Sequence, residues 1–369
     1  LQYSAVKRLL PSLVDSPEKL RKHVRHMVAN IVLDFAYGYQ LENEDDPLLK
    51  ILDDNINVFA IAVKPGAFLV DHFPFLRHIP DWLPGAGFKK LAAETKARMY
   101  YSRDEPFRKV KAKLRAGEAK PSFVANSLSE LGKDDESDED VDTIKRVAGA
   151  ISGAGTDTTA STIMAFILAI ALNPEVMRKA QQELDKVVGP NRLPEFADLP
   201  ALPYIDAILK ETLRWFPVVP SALPHATIAD DFYEGYAIPA GSIVIVNTWK
   251  ILHDPNIYLQ PYGFRPERFA PDKQGVTPER DPTATGNFGY GRRMCAGKNL
   301  AQATVWLTIS TLLSVYEFTN ARDLDGKKLD SGRAIQPVGG AICRPMDYIV
   351  DITPRSKEAE ALIRQLEYS

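Results

Sequence analysis

The 369-residue chain has little cysteine, no long apolar run and almost no net charge, and each shortage narrows what it can be. Its two cysteines, Cys295 and Cys343, are too few for a disulfide framework or a four-cysteine zinc site, and they fit a reducing compartment. No run of about eighteen consecutive apolar residues occurs, so no membrane span is expected within the chain. A net charge of −3 gives no reason to expect nucleic acid or a polybasic membrane contact. Leu1 is not an initiator methionine and no signal-peptide pattern precedes the first amphipathic stretch, so the chain is expected to begin inside a longer protein. What is present, 45% hydrophobic and 25% charged residues, is ordinary globular composition, enough for two average domains or one large one.

In chain order, Ser16-Pro17-Glu18 reads as a helix start with a cap, a proline at the first position and an acid in the first turn. His23 and His26 follow at i, i+3, but Arg21, Lys22 and Arg25 surround them, which favours a solvated basic face over half a metal site. Residues 58–90 are apolar and broken by Pro65, Pro74, Pro80 and Pro84. Phe59, Phe68, Phe73, Phe75 and Trp82 there suit either a core segment with turns or a lid over an apolar pocket. Residues 133–142 form an acidic run expected as an exposed loop, placing negative charge before a helix N-terminus.

That helix is expected over about Asp142–Leu172, stopped by Asn173-Pro174, and apolar on nearly all sides through Val147, Ala150, Ile151 and Ile163 onward. Its middle breaks the pattern with Gly153-Ala154-Gly155-Thr156-Asp157-Thr158-Thr159. Glycine and threonine are poor interior helix residues, and a threonine hydroxyl can bond back to a carbonyl one turn earlier. An acid and alcohols in a weakened, buried turn are costly to stability, and local rules fail in this way at functional sites. A phosphate-binding Gly-Lys-Ser/Thr loop and a dinucleotide fingerprint are both excluded, the first for want of a lysine and the second for want of a third glycine and a preceding strand.

The amphipathic segment Pro203–Trp215 carries Glu211-x-x-Arg214, a spacing that puts both side chains on one helix face. Glu18/Arg21, Glu105/Arg108 and Glu175/Arg178 repeat the spacing, and most such pairs are surface decoration. Residues 233–246 read as strand, turn and strand, and residues 330–353 as short strands around Gly339-Gly340. Cys343 has no partner motif and reads as a structural thiol.

The other cysteine lies in Phe288-Gly289-Tyr290-Gly291-Arg292-Arg293-Met294-Cys295-Ala296-Gly297, immediately before a helical pattern that begins at Lys298. Gly291 and Gly297 allow backbone angles that other residues reach only at a cost. The positive end of a helix favours thiolate over thiol, and a rigidly held thiolate can ligate a redox-active metal. A lone cysteine is more often a small buried apolar residue.

The ten-residue loop resembles, position by position, the haem-binding loop of the cytochromes P450, the haem-thiolate monooxygenases. Phe288, Gly291, Cys295 and Gly297 match its fixed positions and Arg292-Arg293 its basic pair. Ala154-Gly155-Thr156-Asp157-Thr158-Thr159 resembles the family's oxygen-activation motif, and Glu211-x-x-Arg214 with Phe264-Arg265-Pro266-Glu267-Arg268-Phe269 resembles its ionic triad. The motifs stand in the family's order, and the tail 351–356 is in the style of fungal members.

The resemblance implies a mainly α fold with a small β-rich part, a single domain over residues 1–369, and haem b as cofactor. Cys295 would be the axial ligand of the haem iron. Phe288, Gly289, Gly297, Ala154 and Gly155 would contact the cofactor, and Arg293 and His225 would hold its propionates. Asp157 and Thr158 would relay protons. Glu211, Arg214 and Arg268 would form a buried triad on the cysteine side. The activity implied is insertion of one oxygen atom from O2 into an apolar small molecule. Electrons would come from NADPH through a separate NADPH–cytochrome reductase, with cytochrome b5 as an optional partner. Substrate contacts are expected from residues 58–90, 149–154, 218–223 and 338–342. Relative to the family pattern, the N-terminal anchor, first strands and first helices are missing ahead of Leu1. Membrane association at the cytosolic face of the endoplasmic reticulum is therefore expected for a full-length protein only. The alternatives are a peroxide-shunt or isomerase-type enzyme without a reductase, and an inactive fragment that does not hold haem.

Overall fold

Apolar residues three and four apart set the first helix: Ala5, Val6, Leu9, Leu10 and Leu13 bury one face of α1 (Gln2–Asp15), which packs on α2 (Leu20–Tyr37). The computed structural model describes residues 1–41, 43, 45–62, 66–132, 135, 137–270 and 279–366, which divide into two units, Leu1–Ala160 and Ser161–Ser369.

The first unit is helical. After α1 and α2 come α3 (Pro47–Ala62), the short α4 (Leu69–His72), α5 (Gly87–Ala116), α6 (Phe123–Leu131) and the first part of α7 (Glu139–Leu172). Its core joins Ala29, Leu33 and Ala36 of α2 to Leu48 and Leu52 of α3, Phe107 and Val110 of α5, and Val141 and Ala148 of α7. The expected cap at Ser16 is not made. Pro17–Lys19 forms a separate 3-10 turn, and the Ser16 hydroxyl lies 2.9 Å from His23 Nε2. His23 is therefore buried rather than on a solvated face, because a hydroxyl one element away gives the ring a polar partner. Among the described residues no group of His, Cys, Asp or Glu side chains is placed to hold a metal ion.

The core reading of 58–90 does not hold for its largest side chains: Phe73, Phe75 and Trp82 are exposed. Pro65 lies outside the described residues, as do Lys133, Asp134 and Glu136 of the acidic run. The end of that run is not loop, because α7 begins at Glu139. The Asp138 carboxylate accepts the Asp140 N–H at 3.0 Å, and Glu139, Asp140 and Asp142 occupy the electropositive first turn. Of the described residues only α7 has the length and composition to cross a membrane, and 67% of its most apolar window is buried inside the protein, as in a core helix.

In the second unit, α8 (Pro174–Val187), α9 (Pro203–Trp215) and α11 (Lys298–Val315) pack together. Trp306, Ile309, Leu312 and Leu313 fill α11's interior. Thr304 and Thr308 sit buried in α11 at no polar cost, since each hydroxyl donates 2.8 Å back to the carbonyl four residues earlier. The strands are short antiparallel pairs. β1 (His225–Ala226) pairs with β4 (Ile243–Val244), and β2 (Asp231–Tyr233) with β3 (Tyr236–Ile238). After α10 (Thr248–Leu252) and α11, β5 (Tyr316–Arg322) pairs with β8 (Ile349–Pro354), Phe318 opposite Ile352. Between them lie α12 (Ser331–Ala334) and the hairpin of β6 (Pro337–Gly339) and β7 (Cys343–Pro345), and α13 (Lys357–Gln365) closes the chain against α11. The fold is mainly α with a small strand part.

Candidate functional site

In the first unit the weakened turn of α7 has the bonding its sequence suggests. Thr158 Oγ1 donates to the Ala154 carbonyl at 2.8 Å and Thr156 Oγ1 to that of Ser152 at 3.1 Å. The glycines mark close approaches. A Cβ at Gly149 would lie 2.9 Å from Arg103 Cγ of α5, and one at Gly155 would lie 3.1 Å from Val32 of α2. Gly155 is thus explained by packing against α2. The all-round burial expected of α7 is broken on one stripe: Val147, Ala150, Gly153 and Ala154 are exposed. These positions share a helix face, so an otherwise buried helix leaves a small, apolar strip open there.

Asp157 points elsewhere. Its Oδ1 accepts a 2.8 Å hydrogen bond from Arg25 Nη1 of α2, and Arg25 Nη2 pairs with Asp53 of α3. Arg25 and Asp53 carry no motif signal. Only the packing of α2, α3 and α7 makes them partners of the acid.

In the second unit the cysteine loop is closed by the Cys295 N–H, which donates to the Phe288 carbonyl at 2.8 Å. Gly289 and Gly291 have φ of 80° and 57°, and Gly291–Arg293 forms one 3-10 turn. Gly297 does not use its conformational freedom, since its φ is an ordinary −82°. A Cβ there would meet Cys295 Sγ at 3.8 Å, an ordinary contact, so neither backbone nor space in this structure requires glycine. Gly286 has φ 99°, and a Cβ there would collide with the Tyr290 ring, whose hydroxyl donates to the Thr285 carbonyl at 3.1 Å. The Cys295 carbonyl accepts the Lys298 N–H at 3.3 Å, which sets the residue at the start of α11. Cys295 is a free, exposed thiol, and the Arg292 and Arg293 side chains beside it are exposed. His225 is exposed on β1, its Nδ1 2.8 Å from the Leu223 carbonyl.

Cys343 is the opposite case. It is buried, its Sγ 3.2 Å from the Gly340 carbonyl, and burial pushes its thiol up from the ordinary range. Its N–H donates to the Val218 carbonyl at 2.7 Å, so the 338–342 hairpin tip and the 218–223 segment are tied together.

The structure brings Glu211, Arg214 and Arg268 into one buried cluster. Arg214 Nε and Nη2 donate to the two Glu211 oxygens at 2.7 and 2.9 Å, a bidentate pair, and Arg268 Nε lies 3.1 Å from Glu211 Oε2. The spare donors of Arg214 reach the carbonyls of Leu252, Pro261 and Gly263. The Arg265 N–H donates to Glu211 Oε1 at 2.7 Å. Sequence reasoning missed a fourth member, Glu279, whose carboxylate is 2.6 Å from Arg268 Nη1. Asn287 Nδ2 donates to the Leu213 carbonyl at 3.2 Å, so the segment entering the cysteine loop hangs from the triad's own helix.

A family model for cytochrome P450 matches residues 7–343. The chain belongs to the cytochrome P450 family. It is 42% identical over 97% of its length to cytochrome P450 monooxygenase ple1 of Rhodocybe pseudopiperita, of which it covers 68%. It is 41% identical over 99% of its length to cytochrome P450 monooxygenase claR of Ampulloclitocybe clavipes, covering 66%. To cytochrome P450 monooxygenase 208 of Postia placenta the figures are 40% identity over 97%, covering 68%. The chain thus spans about two thirds of the length of these P450 relatives.

The cofactor of the P450 family is haem b. The donor set here fits it: an exposed sulfur with no competing disulfide, and guanidinium and imidazole groups suited to carboxylates.

Proposed function

We propose that this chain carries the catalytic part of a haem-thiolate monooxygenase that inserts one oxygen atom from O2 into an apolar small molecule. On this reading residues 1–369 belong to one catalytic domain. Electrons come from NADPH through a separate reductase. A full-length protein of this kind would associate with the cytosolic face of the endoplasmic reticulum membrane. The observation that carries the reading is the exposed, unpaired thiol of Cys295 on a loop closed by its own N–H, at the start of α11.

Cys295 would ligate the iron, with Phe288, Gly289 and Gly297 lining the ligand's side. Arg293 and His225 would hold the propionates by charge-assisted hydrogen bonds. Ala154, on the open strip of α7, would face the cofactor, and Gly155, packed against α2, would let the turn beside it form. When bound, the haem supplies reductive activation of dioxygen, favoured by a thiolate ligand. The chain's own residues supply the rest. Glu211, Arg214 and Arg268 keep the cysteine loop's support rigid. Thr158 would hold its hydroxyl beside the broken turn, and with Asp157, which Arg25 holds, it would serve the proton relay.

The test is the carbon-monoxide difference spectrum of the reduced, haem-loaded chain. A thiolate-type Soret band that vanishes in Cys295→Ala is expected. A wild-type chain without that band would not be a working haem-thiolate protein. Product formation dependent on NADPH and added reductase then separates a monooxygenase from a peroxide-driven enzyme.

A further inference from the structure

The cysteine loop, residues 288–297, is closed from inside by the Cys295 N–H on the Phe288 carbonyl. That bond shapes the loop but does not place it against the rest of the unit. Residues 282–288, which lead into it, are a run of turns with no helix or strand ladder to fix them. Their position therefore depends on ties to neighbouring elements. Two side chains supply such ties, one just outside each end of the loop.

Asn287, directly before Phe288, donates from Nδ2 to the Leu213 carbonyl of α9 at 3.2 Å. The helical donor to that carbonyl would be residue 217, but Pro217 has no N–H, so the last turn of α9 leaves the acceptor to a donor from elsewhere. Lys298, directly after Gly297, is a cation in the first turn of α11, where the helix dipole disfavours positive charge. Its placement needs a gain elsewhere. The ammonium bends back to the Thr283 carbonyl at 3.1 Å and lies 5.9 Å from the centre of the Phe288 ring. Asn287 thus fastens the loop's entry to the helix of the buried triad, and Lys298 fastens its exit to the entry segment. Fixing both ends of a short loop removes much of its freedom to swing.

We infer that Asn287 and Lys298 are positioning residues for Cys295, a clamp on the two ends of its loop that holds the sulfur in a fixed place for the iron. This rests on the reading of Cys295 as the ligand. Neither side chain belongs to the loop's own ten residues, and neither needs to touch the cofactor.

The test compares Asn287→Asp, which keeps the shape and removes the donor, with Lys298→Met, Lys298→Arg and the exposed control Asn256→Ala. In haem-loaded protein the thiolate-type band of the reduced carbon-monoxide complex is expected to decay about fivefold faster in Asn287→Asp and in Lys298→Met, the factor that one hydrogen bond corresponds to. Lys298→Arg keeps a donor and stays near wild type, as does Asn256→Ala. The second measurement is hydrogen exchange, read by mass spectrometry on the same chain with and without haem. The peptide holding the Cys295 amide is expected to exchange faster by about the same factor in both donor-free variants, while peptides of α8 and the body of α11 keep wild-type rates. Unchanged exchange at Cys295 in both variants would overturn the clamp, and a change in only one would overturn its two-ended form. Exchange rising equally throughout the unit would overturn the positioning role in favour of a general structural one. Absence of the band in the wild-type chain would instead overturn the haem-thiolate reading and leave exchange to decide the clamp.

Discussion

Glu211 receives two parallel hydrogen bonds from Arg214, one turn later on the same helix, with both side chains fully closed to solvent. The same spacing at Glu105/Arg108 gives a 3.0 Å pair whose arginine is 59% exposed. Burial is what separates the two, since it makes an unpaired charge intolerable. Glu211→Gln is therefore expected to cost about 3–5 kcal/mol by leaving two guanidinium groups short of a counter-ion. Glu105→Gln is expected to cost under about 1 kcal/mol. Guanidinium chloride denaturation of the two variants checks the contrast.

Glu279 binds the same cluster from its rim. Its carboxylate is 2.6 Å from Arg268, but its side chain is 24% exposed. Arg268 keeps Glu211 and the Leu259 and Gln260 carbonyls when Glu279 is lost. Glu279→Gln is expected to destabilise by about 1 kcal/mol, well below Glu211→Gln in the same assay.

Gly286 supports the cysteine loop through the space beneath Tyr290. Gly286→Ala meets both a collision with that ring and a φ of 99°. A loss of about 1–3 kcal/mol is expected from the backbone strain alone. Adding Tyr290→Ala removes the collision but not the strain, so it should recover only part of the stability. The carbon-monoxide spectrum and thermal melts of the single and double variants read this directly.

His253 gives the chain a pH dependence. It stacks 4.0 Å from Trp249, its Nδ1 lies 2.9 Å from the Trp249 carbonyl, and burial holds its pKa down at about 4, helped by the charges of Arg214 and Arg268. The unfolded chain takes up this proton near pH 6.5 and the folded one does not. Stability from neutral His253 is therefore complete above about pH 6.5 and is lost as the pH falls toward about 4, by an order of about 3 kcal/mol. Denaturation between pH 7 and 4 should show that slope, and His253→Gln should flatten it.

The two thiols should part company toward an alkylating reagent. Cys295 is exposed and Cys343 is buried, with its thiol raised by burial. The haem-free chain is expected to be labelled quickly at Cys295 and slowly at Cys343, and haem should protect Cys295. Mass spectrometry of digests before and after haem loading gives the answer.

Local signals in the sequence were enough for α7, its broken turn, α9, α11 and the cysteine loop. Each rests on contacts within a few residues, such as Thr158 to Ala154 or Cys295 to Phe288. Local signals misled where a distant partner decides. Ser16 leaves its cap for His23, and Val147 and Ala150 stay bare on a helix otherwise packed. Gly297 has an ordinary φ and does not use the backbone freedom the sequence suggested.

By itself the sequence determined where a thiol, an acid and its neighbouring alcohol stand along the chain, because residue identity and spacing are covalent facts. Only the tertiary structure decided which charges meet. Glu211 is one of several acids three residues before an arginine, and burial singles it out. Arg25 and Asp53 lie 132 and 104 positions from Asp157 in the chain, and no period or motif links them. They meet because α2, α3 and α7 converge, and the cost of leaving a half-buried charge unpaired keeps them together.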